Sequence, residues 1–317
     1  MMTQKNKKSA QVLRDLRTEF VDKPFGWRKS NKSQTMEHII HGIFLLLGLI
    51  TVGCVLLITV YLVISGIPAI GKIGLWDFLF GDEWASTAAE PKYGILPFLL
   101  TSIYGTAGAI VIGVPIGFFC AVYLSKLASP RVKAVMESAV SLLAGIPSVV
   151  YGLVGMLVLV PGIRKLFHVP DGSGLLAAIL VLAVMILPSI IKMSVTALDA
   201  VPKEYEDASL ALGATPMETW FRVSVPAAKS GIAAAVVLGV GRAIGEAMAV
   251  VMVAGNVPNL PDSLFQSVRF LTTAVSSEMA YSSGLQRQAL FSIALVLFLF
   301  IMLINAALNF FLKKERT

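Results

Sequence analysis

Residues 229–255 read KSGIAAAVVLGVGRAIGEAMAVVMVAG, an apolar run interrupted by one cation, Arg242, and one anion, Glu246. The run exceeds the roughly 20 helical residues that cross a hydrocarbon core, and it lacks the polar face that an amphipathic surface helix presents to water. The solvent that suits it is lipid. A charge near the middle of such a helix costs about 2.5–3.5 kcal/mol on insertion scales, so Arg242 and Glu246 need compensation or a purpose. A spacing of four puts them on one helix face, where they either pair with each other or form a polar stripe along a path through the membrane. Two apolar residues would fill the site at lower free energy than a buried ion pair, which favours the path. Gly241 and Gly245, also four apart, read as a face for close helix packing. The glycines of 239–245 have the wrong spacing and context for a dinucleotide fingerprint.

Working outward, five further stretches are long enough to span: roughly 39–65, 97–125, 134–161, 174–197 and 288–312. Of the 317 residues 56% are hydrophobic and 14% charged, and mean hydropathy is +0.79, well outside the range of soluble domains. The expectation is an all-α, polytopic membrane protein with six transmembrane helices, some of them kinked or closely packed at Pro115, Pro147 and Gly241. The net charge of +7 sits in short flanks around the apolar runs rather than on a basic face, so nucleic acid is not an expected partner. Nineteen Lys and Arg fall on one side of the six spans and six on the other. The positive-inside rule then places both termini in the cytoplasm of a cell-membrane protein, with an uncleaved first helix. Cys54 and Cys120 lie inside apolar runs and predict no disulfide. The histidines form no ligand cluster, and no metal site is expected. The organisation expected is a basic segment over 1–36, a first helix with its outer loop over 37–96, a core over 97–312 and a short tail over 313–317. In the outer loop, Trp76, Phe78, Phe80 and Trp84 beside Asp77, Asp82 and Glu83 suit an aromatic belt or a docking surface.

The inner loop 198–228 has local structure of its own. Glu204 to Leu212 are helix formers stopped by Gly213, suited to a left-handed C-cap. Pro216 fits the first position of a second short helix, and Pro226 closes the segment. The product is a helix-turn-helix knob. It resembles the coupling loop of ABC importer permeases, whose pattern is matched by Asp207-Ala208-Ser209, Gly213 and Val223-Ser224-Val225-Pro226. Asp207 stands where that family usually has Glu, with Glu206 just before it, which leaves two carboxylates for the partner contact. The resemblance implies the type I importer permease fold and a role for Glu206, Asp207, Ala208, Ser209, Gly213 and Pro226 in docking to an ATPase. The chain has no phosphate-cradling G-x-x-x-x-G-K-[ST] loop of its own, so it is not expected to be an enzyme. ATP and Mg would belong to the partner chain, and no cofactor is expected here.

Chemistry narrows the solute. A guanidinium offers a rigid fork of donors matched to oxyanions. A neighbouring carboxylate repels a fully ionised oxyanion but accepts a proton from hydrogen phosphate, so Arg242 would attract while Glu246 checks for the proton. Tyr93-Gly-Ile-Leu-Pro97, Gly145-Ile-Pro-Ser-Val-Val-Tyr-Gly152 and Gly241-Arg-Ala-Ile-Gly-Glu-Ala-Met-Ala249 are similar to signatures of phosphate-specific ABC permeases, and the Trp76–Trp84 loop resembles the C-type of their two permeases. This resemblance implies a heterodimer with a second homologous permease subunit, two ATPase subunits, an extracytoplasmic phosphate-binding protein, and inorganic phosphate as solute. Other readings are a permease for phosphonate, sulfate or molybdate, and an ATP-independent anion channel or transporter. Thr101, Ser102, Glu137, Ser141 and Ser148 are further candidates for the path or a gate. Against this, such hydroxyls often bond the preceding turn of their own helix, and an acidic residue near a helix N-terminus is favoured electrostatically.

Overall fold

The computed structural model describes residues 31–314; residues 1–30 of the basic segment and 315–317 of the tail lie outside the described residues. The chain divides into two units that meet between Val60 and Tyr61, inside the long helix α1 (Asn31–Ile73). Within the first unit the apolar side chains from Ile39 to Val60 are exposed almost throughout. A helix that is apolar all round belongs in lipid or against other helices.

The second unit is built around α7 (Leu175–Asp199), which lies between α3 (Leu96–Val122) and α11 (Lys229–Gly245). Glycine makes this approach possible. A methyl group added at Gly108 would lie 2.7 Å from Ile179 Cδ1, one at Gly113 2.7 Å from Ile186 Cδ1, and one at Gly117 2.8 Å from Ile190 Cγ2. The same Ile190 also meets Gly239 of α11, where an added methyl would lie 3.0 Å from its Cγ1. The isoleucines of α7 thus fill gaps left by missing side chains, the small-residue packing expected where lipid provides no hydrophobic drive for helix association.

Among the described residues five helices are long and apolar enough to cross a membrane, and a sixth span arises if the pair Pro216–Ala227 and Lys229–Gly245, bent by 69°, counts as one. Two of the expected spans differ in detail. The run 134–161 is divided at Ile146 and Pro147 into α4 (Pro130–Gly145) and α5 (Ser148–Val154), and the apolar span is Ser148–Phe167. Pro147 disfavours helical backbone at the residue before it, and Ile146 is extended, with φ −69° and ψ 127°. The run 229–255 is divided after Gly245, where Glu246 is extended at φ −73° and ψ 127°, before α12 (Met248–Val253). Pro115, where a kink or close packing is expected, does not interrupt α3, and α7 likewise continues through Pro188. Helix α3 instead ends in a π turn, Tyr123–Leu127, and a second π turn, Gly155–Leu159, joins α5 to α6 (Val160–Phe167).

At one end of the unit, α2 (Leu75–Phe80) and a two-residue hairpin, β1 (Trp84–Ala85) against β2 (Lys92–Tyr93), cover α13 (Leu271–Glu278) and the start of α14 (Gly284–Lys314). The aromatic belt expected here is only half realised. Trp76 and Phe80 are exposed and stacked on each other, whereas Phe78 and Trp84 are buried with Tyr93, Ile95 and Phe98 in a core cluster. Trp84 Nε1 donates to Glu278 at 3.3 Å, which also pairs with Arg269, so the hairpin is tied down by a polar network beneath it. The helical knob lies at the other end, where Lys126 after α3 meets Leu198 of α7.

Gly113→Val should drive a branched side chain into Ile186, an overpacking penalty of about 1–3 kcal/mol. Thermal unfolding in detergent should then move down by about 2–10 °C for a chain of this size. Gly71→Ala, which meets open space, should leave the midpoint unchanged.

Candidate functional site

Arg242 lies three residues before the end of α11 and opens onto a cavity of about 610 Å³ lined by Ser189, Val237, Leu238, Gly241 and Asn305. Three helices meet there: α7 brings Ser189, α11 brings Arg242 and α14 brings Asn305. Glu246 does not share a helix face with Arg242, because the helix stops between them, and no ion pair joins the two among the described residues. The expectation of a common face fails at the break. The Glu246 carboxylate instead accepts from Ala249 N at 3.1 Å, capping α12, while its carbonyl accepts from Thr272 Oγ1 at 2.8 Å.

The break between α4 and α5 lies close by. Gly152, just past it, packs on Ala249, just past the other break, so tightly that an added methyl would lie 2.8 Å from Ala249 Cα. The Tyr151 hydroxyl donates to Leu143 O at 2.8 Å across the break. Backbone groups freed by both interruptions are therefore satisfied by side chains, the condition for irregular backbone at membrane depth.

The secondary candidates divide. Glu137 and Ser141 of α4 line a cavity of about 300 Å³ with Lys192 and Thr196 of α7, although Ser141 Oγ donates to Glu137 O in its own helix at 2.7 Å. Ser148 is half-buried at the start of α5. Thr101 and Ser102 are buried, and Ser102 Oγ accepts from Leu271 N at 3.0 Å, which makes it a packing contact between α3 and α13 rather than part of an open path in this conformation. Ser189 and Asn305 were not singled out in the sequence. Each is a polar residue in a largely apolar helix, and that was the available signal.

The knob has the expected form and one feature beyond it. Helix α8 (Lys203–Ala211) ends at Gly213, whose φ is +89°, and Ala214 N donates back to Ser209 O. Helix α9 (Pro216–Thr219) begins with a capping box in which Thr215 and Glu218 satisfy each other's backbone. Hydrogen bonds from the Thr215 backbone and hydroxyl hold the Glu218 carboxyl below its ordinary range. A third π turn, Trp220–Ser224, and α10 (Val225–Ala227) lead into α11. The two acidic neighbours of the knob separate: Asp207 is exposed, while Glu206 is half-buried and accepts from Lys126 Nζ at 2.5 Å and Ser224 Oγ at 2.8 Å. Burial alone would raise the Glu206 carboxyl, but those hydrogen bonds and the Lys126 charge outweigh it and lower it. At the tip, Leu212 is 90% exposed, with Tyr205, Leu210 and Met217 exposed beside it.

The family described as the binding-protein-dependent transport system inner membrane component matches residues 113–316. This chain belongs to that family. It is 40% identical over 266 residues to a probable ABC transporter permease protein, YqgH, of Bacillus subtilis, with 81% of this chain and 86% of that protein covered. It is 35% identical over 293 residues to the phosphate transport system permease protein PstC of Haemophilus influenzae, with 86% and 89% covered. Among solved structures, an inward-facing conformation of the MetNI methionine ABC transporter superposes with TM-score 0.52 at 22% identity, over 70% of this chain and 94% of that one. The fold is that of the ABC importer permeases, as the sequence resemblance implied, and the family places the chain in a membrane as a multi-pass transport component.

If the Arg242 cavity is hydrated, Ser189→Cys and Asn305→Cys, made with Cys54 and Cys120 replaced by serine, should both react with a charged, water-soluble thiol reagent. Leu303→Cys, 67% exposed on the apolar surface of α14, should stay unlabelled, and equal labelling of all three would remove the case for a polar path.

Proposed function

We propose that this chain is the C-type permease subunit of an ATP-driven importer of inorganic phosphate, with both termini and the knob on the cytoplasmic side. The observation that carries the reading is Arg242: a permanent cation in a membrane helix, facing a cavity with Ser189 and Asn305 and joined to no carboxylate among the described residues. A guanidinium left without an anion is the feature that an oxyanion path requires. The PstC relatives, 32% and 35% identical over most of the chain, support phosphate as that anion. Glu246 uses one carboxylate oxygen to cap α12, which leaves the other to accept the proton of hydrogen phosphate. A weak, partly repulsive site also suits release, because transport requires sites that are not too tight.

The exposed apolar tip around Leu212 and the free carboxylate of Asp207 favour docking of an ATPase subunit, which would bring ATP and Mg. Two such subunits would act in turn on this chain and on a second, homologous permease, alternating access between the two sides of the membrane. The hairpin end, with Trp76 and Phe80 exposed beside Asp82 and Glu83, would receive the extracytoplasmic phosphate-binding protein.

In vesicles holding the complete transporter, Arg242→Ala should reduce ATP-dependent phosphate uptake about 10- to 100-fold, the loss of ~1.5–3 kcal/mol of charge-assisted hydrogen bonding, without loss of assembly. Unchanged uptake would sink the role of Arg242. Glu246→Gln should narrow the preference for phosphate over sulfate, and equal discrimination in variant and wild type would refute the proton check.

A further inference from the structure

Two clusters of charge join the membrane helices near the knob, and only one of them includes the knob. In the first, Glu206 of α8 accepts from Lys126 Nζ at 2.5 Å and from Ser224 Oγ at 2.8 Å, and Lys126 also donates to Leu198 O at 3.3 Å. Side-chain exposure is 10% for Lys126 and 20% for Glu206, so the pair is shielded from water and its charge-assisted bonds are strong. In the second, Asp199 accepts from Ser125 Oγ at 2.6 Å and Lys133 Nζ at 2.7 Å. That cluster links the end of α3 to α4 and α7, is more exposed, and among the described residues forms no ion pair with α8, α9 or α10.

The first cluster also joins two π turns. Lys126 belongs to the turn Tyr123–Leu127 that ends α3, and Ser224 closes the turn Trp220–Ser224 inside the knob. A π turn holds one residue more than an α turn and concentrates at functional sites in helices. The knob itself is braced, since Ser209 and Thr219 share a hydrogen bond of 2.9 Å, with Thr219 and Ser224 buried. The two short helices of the knob are thus tied to each other beside the Glu206 contacts.

We propose that Glu206 and Lys126 are positioning residues that carry movement of the knob into α3 and α7, while the neighbouring Asp207 is left to meet the partner. This assigns different tasks to two adjacent carboxylates that sequence alone does not separate. It rests on the reading of the chain as part of an ATP-driven importer and adds the point at which force enters the membrane helices.

The test uses the complete reconstituted transporter and measures phosphate taken up per ATP hydrolysed. Glu206→Gln and Lys126→Met should each lower that ratio about fivefold or more, as expected when a coupling network is weakened, with assembly and ATP hydrolysis retained. The exchanged pair Lys126→Glu with Glu206→Lys should recover most of the ratio, and Lys133→Met should leave it at the wild-type value. A wild-type ratio in both single variants, or an exchanged pair no better than either, would overturn the proposal. Loss of assembly in Glu206→Gln that the exchange repairs would also overturn it, because the pair would then serve folding alone. If the wild-type complex hydrolyses ATP yet moves no phosphate, the solute assignment is at fault. The clamp is then judged by spin labels at Val111→Cys and Leu303→Cys, whose spacing should shift with ATP in wild type and stay fixed in Glu206→Gln; an equal shift in both would refute it.

Discussion

Three glycines of α3, at 108, 113 and 117, allow α7 to lie against that helix at a separation no larger residue permits, with Ile179, Ile186 and Ile190 filling the space, while Gly105 makes room for the ring of Phe270. Ile190 is shared with Gly239 of α11. In lipid this interlocking replaces the hydrophobic drive that assembles soluble helices, and every polar feature is attached to it. Ser189 faces the Arg242 cavity because α7 is clamped between two neighbours. Leu198 can accept from Lys126 because the same contact brings the ends of α3 and α7 together.

Against that rigid frame, the two interrupted helices are where the chain departs from regular structure. Each break would leave unsatisfied backbone groups in an apolar medium, a cost of several kcal/mol per group. Tyr151 answers the demand at one break, and Glu246 with Thr272 at the other. Glu246 is thus compensated by backbone donors rather than by Arg242, and the arginine keeps its charge available. The charges that look like a pair in the sequence are separated by three-dimensional structure into a cap and a cation that no carboxylate joins among the described residues.

Much of this was legible in the amino-acid order. Apolar run length located the spans, and Gly213 and Pro216 marked the turn and restart of the knob, because each of those signals is local. What escaped were features set by tertiary contact. No local signal stops the helix at Gly245, whose neighbours are ordinary helix formers, so Arg242 and Glu246 read as sharing a face. Phe78 and Trp84 looked like interfacial aromatics until the hairpin folded over them. Glu206 and Asp207 are adjacent and chemically alike, and only the position of Lys126, 80 residues earlier, distinguishes them.

The interruption after Gly245 also bears on how the chain is made. The Glu246 carbonyl finds its donor in Thr272, 26 residues later, so when the stretch 229–255 first enters the bilayer that partner has not yet docked. Until it does, a continuous helix is the way to satisfy the backbone in a bilayer. The segment would enter the membrane unbroken and acquire its break once α13 has been synthesised and docked. In that order of events the docking of α13 would come before the break beside Arg242.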